Sequence, residues 1–293
     1  MKNEEYPALY RASDSTSISS QAANLRLVKW YVGLLIVGSV FSVFGIESKE
    51  SAALAALVFL GTIFLSILMI TRRSEDEWYR ARAVAESVKT STWRFMMKGA
   101  PYFDAVSVEQ VKKEFRNLLR SILSEHKDLS HEFGGEVSEA DQITSKMCEV
   151  RNFDLQARIE FYREFRIDEQ RSWYARKSAE NRKKGKLWFV ILIALQAIAV
   201  VLVVLRVAYP DFRMWPTEVF IVAAGSSLTW IQMKRFRELA SSYGLTAQEI
   251  GIIRGELEGI ENETDFIEFV KDSENAFSRE HTQWVARKTN PEG

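Results

Sequence analysis

Four long apolar blocks constrain this chain more than any other feature: Trp30 to Ile46, Ala52 to Ile70, Leu187 to Leu205, and Val219 to Lys234 with its lead-in Trp215 to Glu218. Each has roughly the length an α-helix rising 1.5 Å per residue needs to cross a hydrocarbon core of about 30 Å. Four buried helices of a soluble bundle are the bland alternative. That alternative fits poorly, because soluble core helices are rarely apolar all round over such a length. The mean hydropathy of −0.14 has the value of a soluble protein, but an average hides segregation. Hydrophobic residues make up 47% and aromatics 12% of the chain, which excludes a disordered polymer.

Charge then orients the blocks. Arg26 and Lys29 precede the first, Arg72 and Arg73 follow the second, Arg182, Lys183, Lys184 and Lys186 precede the third, and Lys234, Arg235 and Arg237 follow the fourth. The two short connections hold only Lys49, Arg206 and Arg213, offset by acidic residues. By the positive-inside rule, both termini and the long middle segment are expected in the cytoplasm. Trp30, Trp188, Trp215 and Trp230 lie near block ends, as interfacial aromatics do. The expected fold is therefore an all-α membrane protein: two parallel transmembrane helical hairpins, four spans in all, with a cytoplasmic helical region. Parallel hairpins exclude the inverted repeat of many secondary transporters. The spans also lack the central Asp, Glu, Lys or Arg that coupled carriers use.

Lys plus Arg and Asp plus Glu both number 39, so no global field favours nucleic acid and no nucleic-acid partner is expected. The single cysteine, Cys148, excludes an internal disulfide, and His126, His131 and His281 do not form a zinc-ligand set. The start, MKNEEYPALYR, is as acidic as it is basic, so a cleaved secretory signal is not expected.

Between the hairpins the chain reads as helix. Glu77 to Met97 continues from the second span until Gly99, Pro101 and Asp104 end it. A capping box at Ser107 to Gln110 opens the next helix, and Gly134 with Gly135 stops it. Ser138 to Asp141 starts another, with no breaker before Gly185, so this helix is expected to run on into the third span. Ile159, Tyr162, Arg166 and Glu169 share one of its faces and Phe161, Phe165 and Asp168 another, so it should pack on more than one side. After the fourth span come three further helical pieces, one opened by a capping box from Thr246 to Glu249. The resulting division is residues 1–103 for the first hairpin (spans about 30–46 and 52–70) with its juxtamembrane helix, 104–137 for a cytoplasmic connector, and 138–293 for a second unit with spans at about 187–205 and 216–233. Two segments also echo each other, each with Trp-Tyr at its start and a second Trp at the same spacing, Trp78 to Trp93 and Trp173 to Trp188.

The stretches YPALYRASDSTSISSQ, WYRARAVAESVKTSTWRF, RIDEQRSWYARKSAENRK, ELASSYGLTAQEI and FVKDSENAFSREHTQWVARK resemble the SLATT family, the SMODS- and SLOG-associating two-transmembrane effector domains, in a tandem version with two such domains. The resemblance covers nearly the whole chain, and SREHTQW is its most specific piece. It implies a pore or channel in the inner membrane of a bacterium, acting in defence built around nucleotide second messengers. A nucleotide messenger or a cytosolic defence protein would then be a partner, beside the lipid bilayer. No catalytic residues come with the resemblance, and the chain shows no phosphate-binding glycine loop, Ser-His-acid arrangement or metal spacing. A non-enzyme with no cofactor and no metal is expected. His281 beside Glu280 reads as a structural histidine, and the basic clusters read first as topology and lipid-headgroup contacts, with nucleotide binding second.

The fourth block carries Gly225, Ser226, Ser227 and Thr229 at its centre. Small residues let membrane helices approach closely, so this is one account of them. The other is that they line water. Glu218, Val222, Gly225, Thr229 and Gln232 follow steps of four, three, four and three, which places them on one stripe, with Ser226 adjoining. In a ring of subunits, Glu218 would form an acidic mouth that favours cations. Four spans are too few to enclose a wide pore alone, so this reading requires a homo-oligomer. The expected function is an oligomeric, cation-conducting channel. The competing reading is a membrane-anchored scaffold or sensor that passes no ions.

Overall fold

The computed structural model describes residues 1–44, 49–72, 74–103, 107–129 and 141–289. Among them every regular element is helical and no strand occurs. The α-helices are α1 Ala8–Phe44, α2 Lys49–Thr71, α3 Ser74–Met96, α4 Val108–Glu125, α5 Ser145–Arg151, α6 Leu155–Tyr162, α7 Glu169–Ala208, α8 Thr217–Lys234, α9 Phe236–Glu256 and α10 Glu263–Thr289. A π-helical turn, Arg163–Asp168, joins α6 to α7 without interrupting the helix. The chain folds into two compact units, Met1–Ala22 with Ser74–Trp173 and Thr246–Gly293, and Ala23–Arg73 with Tyr174–Leu245.

The first unit is built from amphipathic helices. On α3, Ala81, Val84, Ala85, Val88 and Thr92 recur at helical spacing and are buried, and the helix ends in the buried run Trp93, Phe95 and Met96. On α4, Val111, Phe115 and Leu119 fall at steps of four and are buried. Ser107 caps α4 by accepting from the Gln110 amide at 3.3 Å, so this predicted start holds. Phe115 meets Phe95 and Tyr102 with ring centroids 5.1 and 5.7 Å apart. On α10, Phe266, Val270, Ser273, Glu274 and Phe277 line the covered face. Gly99 sits against it so closely that a Cβ there would lie 2.9 Å from Val270 Cγ1. The N-terminal end of α1 also belongs here, with Ser13, Thr16, Ser17 and Ser20 all buried. The Ser13 hydroxyl donates to Leu9 O at 2.8 Å, so burial leaves it satisfied by its own helix.

The second unit has the opposite polarity. Ile70 on α2 and Val207 on α7 are 81% and 79% exposed, amid long runs of exposed Leu, Ile, Phe and Val. Such a surface is stable in lipid and not in water. Within it α1 and α2 interlock through their glycines: a Cβ at Gly38 would lie 2.9 Å from Phe59 Cε1, and one at Gly61 would lie 3.3 Å from Leu34 Cδ1. Farther along, Ser178 donates to Ala240 O at 2.6 Å, and Tyr174 meets Tyr243 at 5.6 Å, joining α7 to α9.

Among the described residues, three helical stretches are long and apolar enough to cross a membrane: Ala8–Val43, Lys49–Met96 and Leu155–Ala208. They contain the second and third expected spans, and the first as far as Val43. The fourth block is a helix over its expected extent, α8, but falls outside that set. Glu218, Gln232 and Lys234 together with the small polar centre dilute its apolarity.

Several expectations are corrected. The helix leading to the third span does not run unbroken from Asp141: α5 ends at Arg151, and Asp154 caps a new start by accepting from the Ala157 amide at 2.8 Å. From Leu155 onward it does continue into the third span, past Gly185. The Thr246 to Glu249 pattern opens nothing, because α9 passes straight through it and buries Thr246. After α8 the described residues hold two α-helices and a 3-10 turn, Leu257–Gly259, where three helical pieces were expected. The stop at Gly134 and Gly135 and the start at Ser138 lie outside the described residues, as do the side chains of Glu280 and His281.

Candidate functional site

The α8 helix carries its small residues on two faces. Ala224, Ser226 and Ser227 are buried, with both serines 7% exposed. Glu218, Gly225, Thr229 and Gln232 are exposed, and Val222 is half-buried between them. The structure thus separates the six candidate residues. Ser226 belongs to the packing face, and the stripe from Glu218 to Gln232 faces away from its own unit's core.

Details along the stripe decide what it can do. A Cβ at Gly225 would meet nothing within 4 Å, so that glycine is not required by any neighbour in its own chain. The Thr229 hydroxyl donates to Gly225 O at 3.0 Å, which satisfies it without a partner helix. At the N-terminal end of α8, Arg206 of α7 donates to Glu218 at 3.2 Å, so this carboxylate is partly offset by a cation. Both of those side chains are more than half exposed, which leaves the pair weak and Glu218 accessible.

The other end of α8 is fixed by aromatic and backbone contacts. Trp230 packs on Trp188 of α7 at 5.9 Å. Arg235 closes the helix in the left-handed region, at φ 46°, and pairs with Glu238 at 2.6 Å. The chain then turns directly into α9. A Cβ at Gly185 would lie 3.3 Å from Phe236 Cβ, so the missing side chain lets α7 approach this turn.

Within the first unit three arginines are buried, Arg151, Arg158 and Arg166, each at most 2% exposed. Arg151 donates to Phe95 O and, at 2.8 Å, to Tyr102 O, with its guanidinium 5.0 Å from the Phe95 ring. Arg158 donates to Met97 O at 3.1 Å and pairs with Glu263. Together they satisfy carbonyls left open where α3 ends, at its negative pole. Arg166, on the π-helical turn, makes two bonds to Glu274 at 2.8 and 2.6 Å, and the Tyr162 hydroxyl donates to the same carboxylate at 2.9 Å. Burial alone would lower the Arg166 pKa; the Glu274 charge and its hydrogen bonds outweigh it and hold the guanidinium charged. Tyr162 and Arg166 therefore do share a face as expected, while Glu169 turns to solvent beyond the π-helical turn.

Among the described residues no group of His, Cys, Asp and Glu side chains is arranged to hold a metal. Among the described residues the structure organises a buried salt bridge in one unit and an exposed polar stripe in the other.

Residues 7–159 match the family model of SMODS and SLOG-associating 2TM effector domain 3, and residues 162–284 match that of SMODS and SLOG-associating 2TM effector domain 1. No curated protein and no solved structure matches the chain.

Proposed function

Because the chain belongs to the SLATT family, as a tandem of two of its effector domains, we propose that it is a membrane effector that conducts cations as a homo-oligomer. The family's association with SMODS and SLOG systems fits a membrane effector in nucleotide-signalling defence. The observation that carries conduction is the exposed stripe of Glu218, Gly225, Thr229 and Gln232 on α8. A helix with that stripe is too polar to face hydrocarbon, and covering it demands either water or another copy of the chain. A ring of copies with α8 inward supplies both. In this reading α8 is the fourth span, the hairpins are parallel, both termini are cytoplasmic, the membrane is the bacterial inner membrane, and no enzymatic chemistry is involved.

One observation favours the scaffold reading. Thr229 is satisfied inside its own helix and Glu218 is paired with Arg206, so the stripe could be buried dry against a second helix. Cation flux into proteoliposomes separates the two. The channel reading expects flux that depends on protein density, because assembly precedes conduction. A reconstituted, folded oligomer that stays tight to cations with and without cyclic nucleotides would favour the scaffold.

A further inference from the structure

The basic residues beside the spans are not equivalent. Arg235 is paired with Glu238 at 2.6 Å, and Lys177 with Glu180 at 3.0 Å. Lys29, Lys184 and Lys234, from α1, α7 and α8, converge instead. Lys29 Nζ and Lys234 Nζ lie 6.0 and 5.9 Å from the same Trp230 ring centroid. The positive charges of Lys184 and Lys29 both bear on the Lys234 ammonium. Among the described residues no carboxylate lies within salt-bridge distance of any of the three. Glu180, a carboxylate that feels Lys184, is already held by Lys177.

Three ammoniums brought together from three helices repel one another, and no described carboxylate is placed to neutralise them. It also pins them. Trp230 is packed on Trp188, and Gly185, next to Lys184, gives up its side chain to let Phe236 approach. Lys29 and Lys184 are exposed and Lys234 is half-buried, so an anion can reach all three. Their position at the basic ends of the spans is the depth at which lipid phosphates lie.

We propose that Lys29, Lys184 and Lys234 form a binding site for a phosphate group, carried by an anionic lipid or by a soluble phosphate. The group with two negative oxygens and room for three donors matches the cluster's charge better than a carboxylate does. The site is independent of whether α8 lines a pore.

The test uses the full chain in two arms. In detergent, inorganic phosphate and pyrophosphate are titrated against thermal unfolding; in nanodiscs, phosphatidylglycerol is compared with phosphatidylcholine. Lys184→Gln and Lys29→Gln are compared with Lys183→Gln, which removes the same charge from an exposed neighbour, and with Lys184→Arg, which keeps it. Binding in either arm should weaken about five-fold for each cluster lysine removed, and little for Lys183→Gln or Lys184→Arg. Response in the first arm identifies a soluble phosphate and in the second a lipid. Equal loss in Lys183→Gln, or no phosphate-dependent stabilisation in either arm, overturns the proposal.

Discussion

Arg166 and Glu274, 108 residues apart, hold each other through two hydrogen bonds with side chains 1% and 0% exposed. Removing one partner strands the other as a buried charge. Glu274→Leu or Arg166→Met should therefore destabilise the protein by about 3–5 kcal/mol, while the double change, Arg166→Met with Glu274→Leu, should recover most of the loss. Chemical denaturation of the three variants, read as a double-mutant cycle, checks this. Near-additive losses would contradict the coupling.

Close approach and open space make opposite predictions for two glycines of the same unit. A Cβ at Gly99 meets the buried, β-branched Val270 at 2.9 Å, so Gly99→Ala should cost about 1–3 kcal/mol. At Gly255, within α9, a Cβ meets nothing within 4 Å, so Gly255→Ala should stabilise by about 0.5–1 kcal/mol. Thermal unfolding of the two variants should move in opposite directions.

Tyr6, Tyr102 and Tyr162, which are buried, and the half-buried Tyr10 have pKa values that are all raised, in each case chiefly by desolvation, with Tyr102 pushed up to about 12. A raised folded pKa contributes stability that is complete below the unfolded value of 10.0 and is lost as pH rises beyond it. Stability should thus be unaffected by these groups up to about pH 10 and fall above it. Ultraviolet titration should show these phenolates forming together with unfolding. Their ionisation at pH 10 in native protein would contradict the burial.

What was legible in the sequence follows from which forces act locally. The spans in α1, α2 and α7 could be read because lipid demands apolar side chains all round, and the α4 start could be read because Ser107 caps its own neighbours. The N-terminal end of α1 was hidden by the polarity of Ser13, Thr16, Ser17 and Ser20, which are buried all the same, Ser13 with its hydroxyl bonded within the helix. Thr246 misled because a cap pattern is also compatible with a helix interior, where that residue is buried. The break before α6 had a signal in Asp154, which lies three residues ahead of the amide it caps. Arg151, Arg158 and Arg166 could not be placed, since a charged residue's burial depends on distant carbonyls and on Glu274. On α8 helical spacing identified the stripe, but only packing distinguished exposed Gly225 and Thr229 from buried Ser226 and Ser227.

The most direct measurement is single-channel current across planar bilayers for the wild type, Glu218→Gln and Thr229→Leu. A water-lined α8 predicts discrete cation currents, reduced cation preference in Glu218→Gln, and conductance lost or sharply lowered in Thr229→Leu. Currents unchanged in both variants, or silence from a folded oligomer with and without cyclic nucleotide, would contradict it.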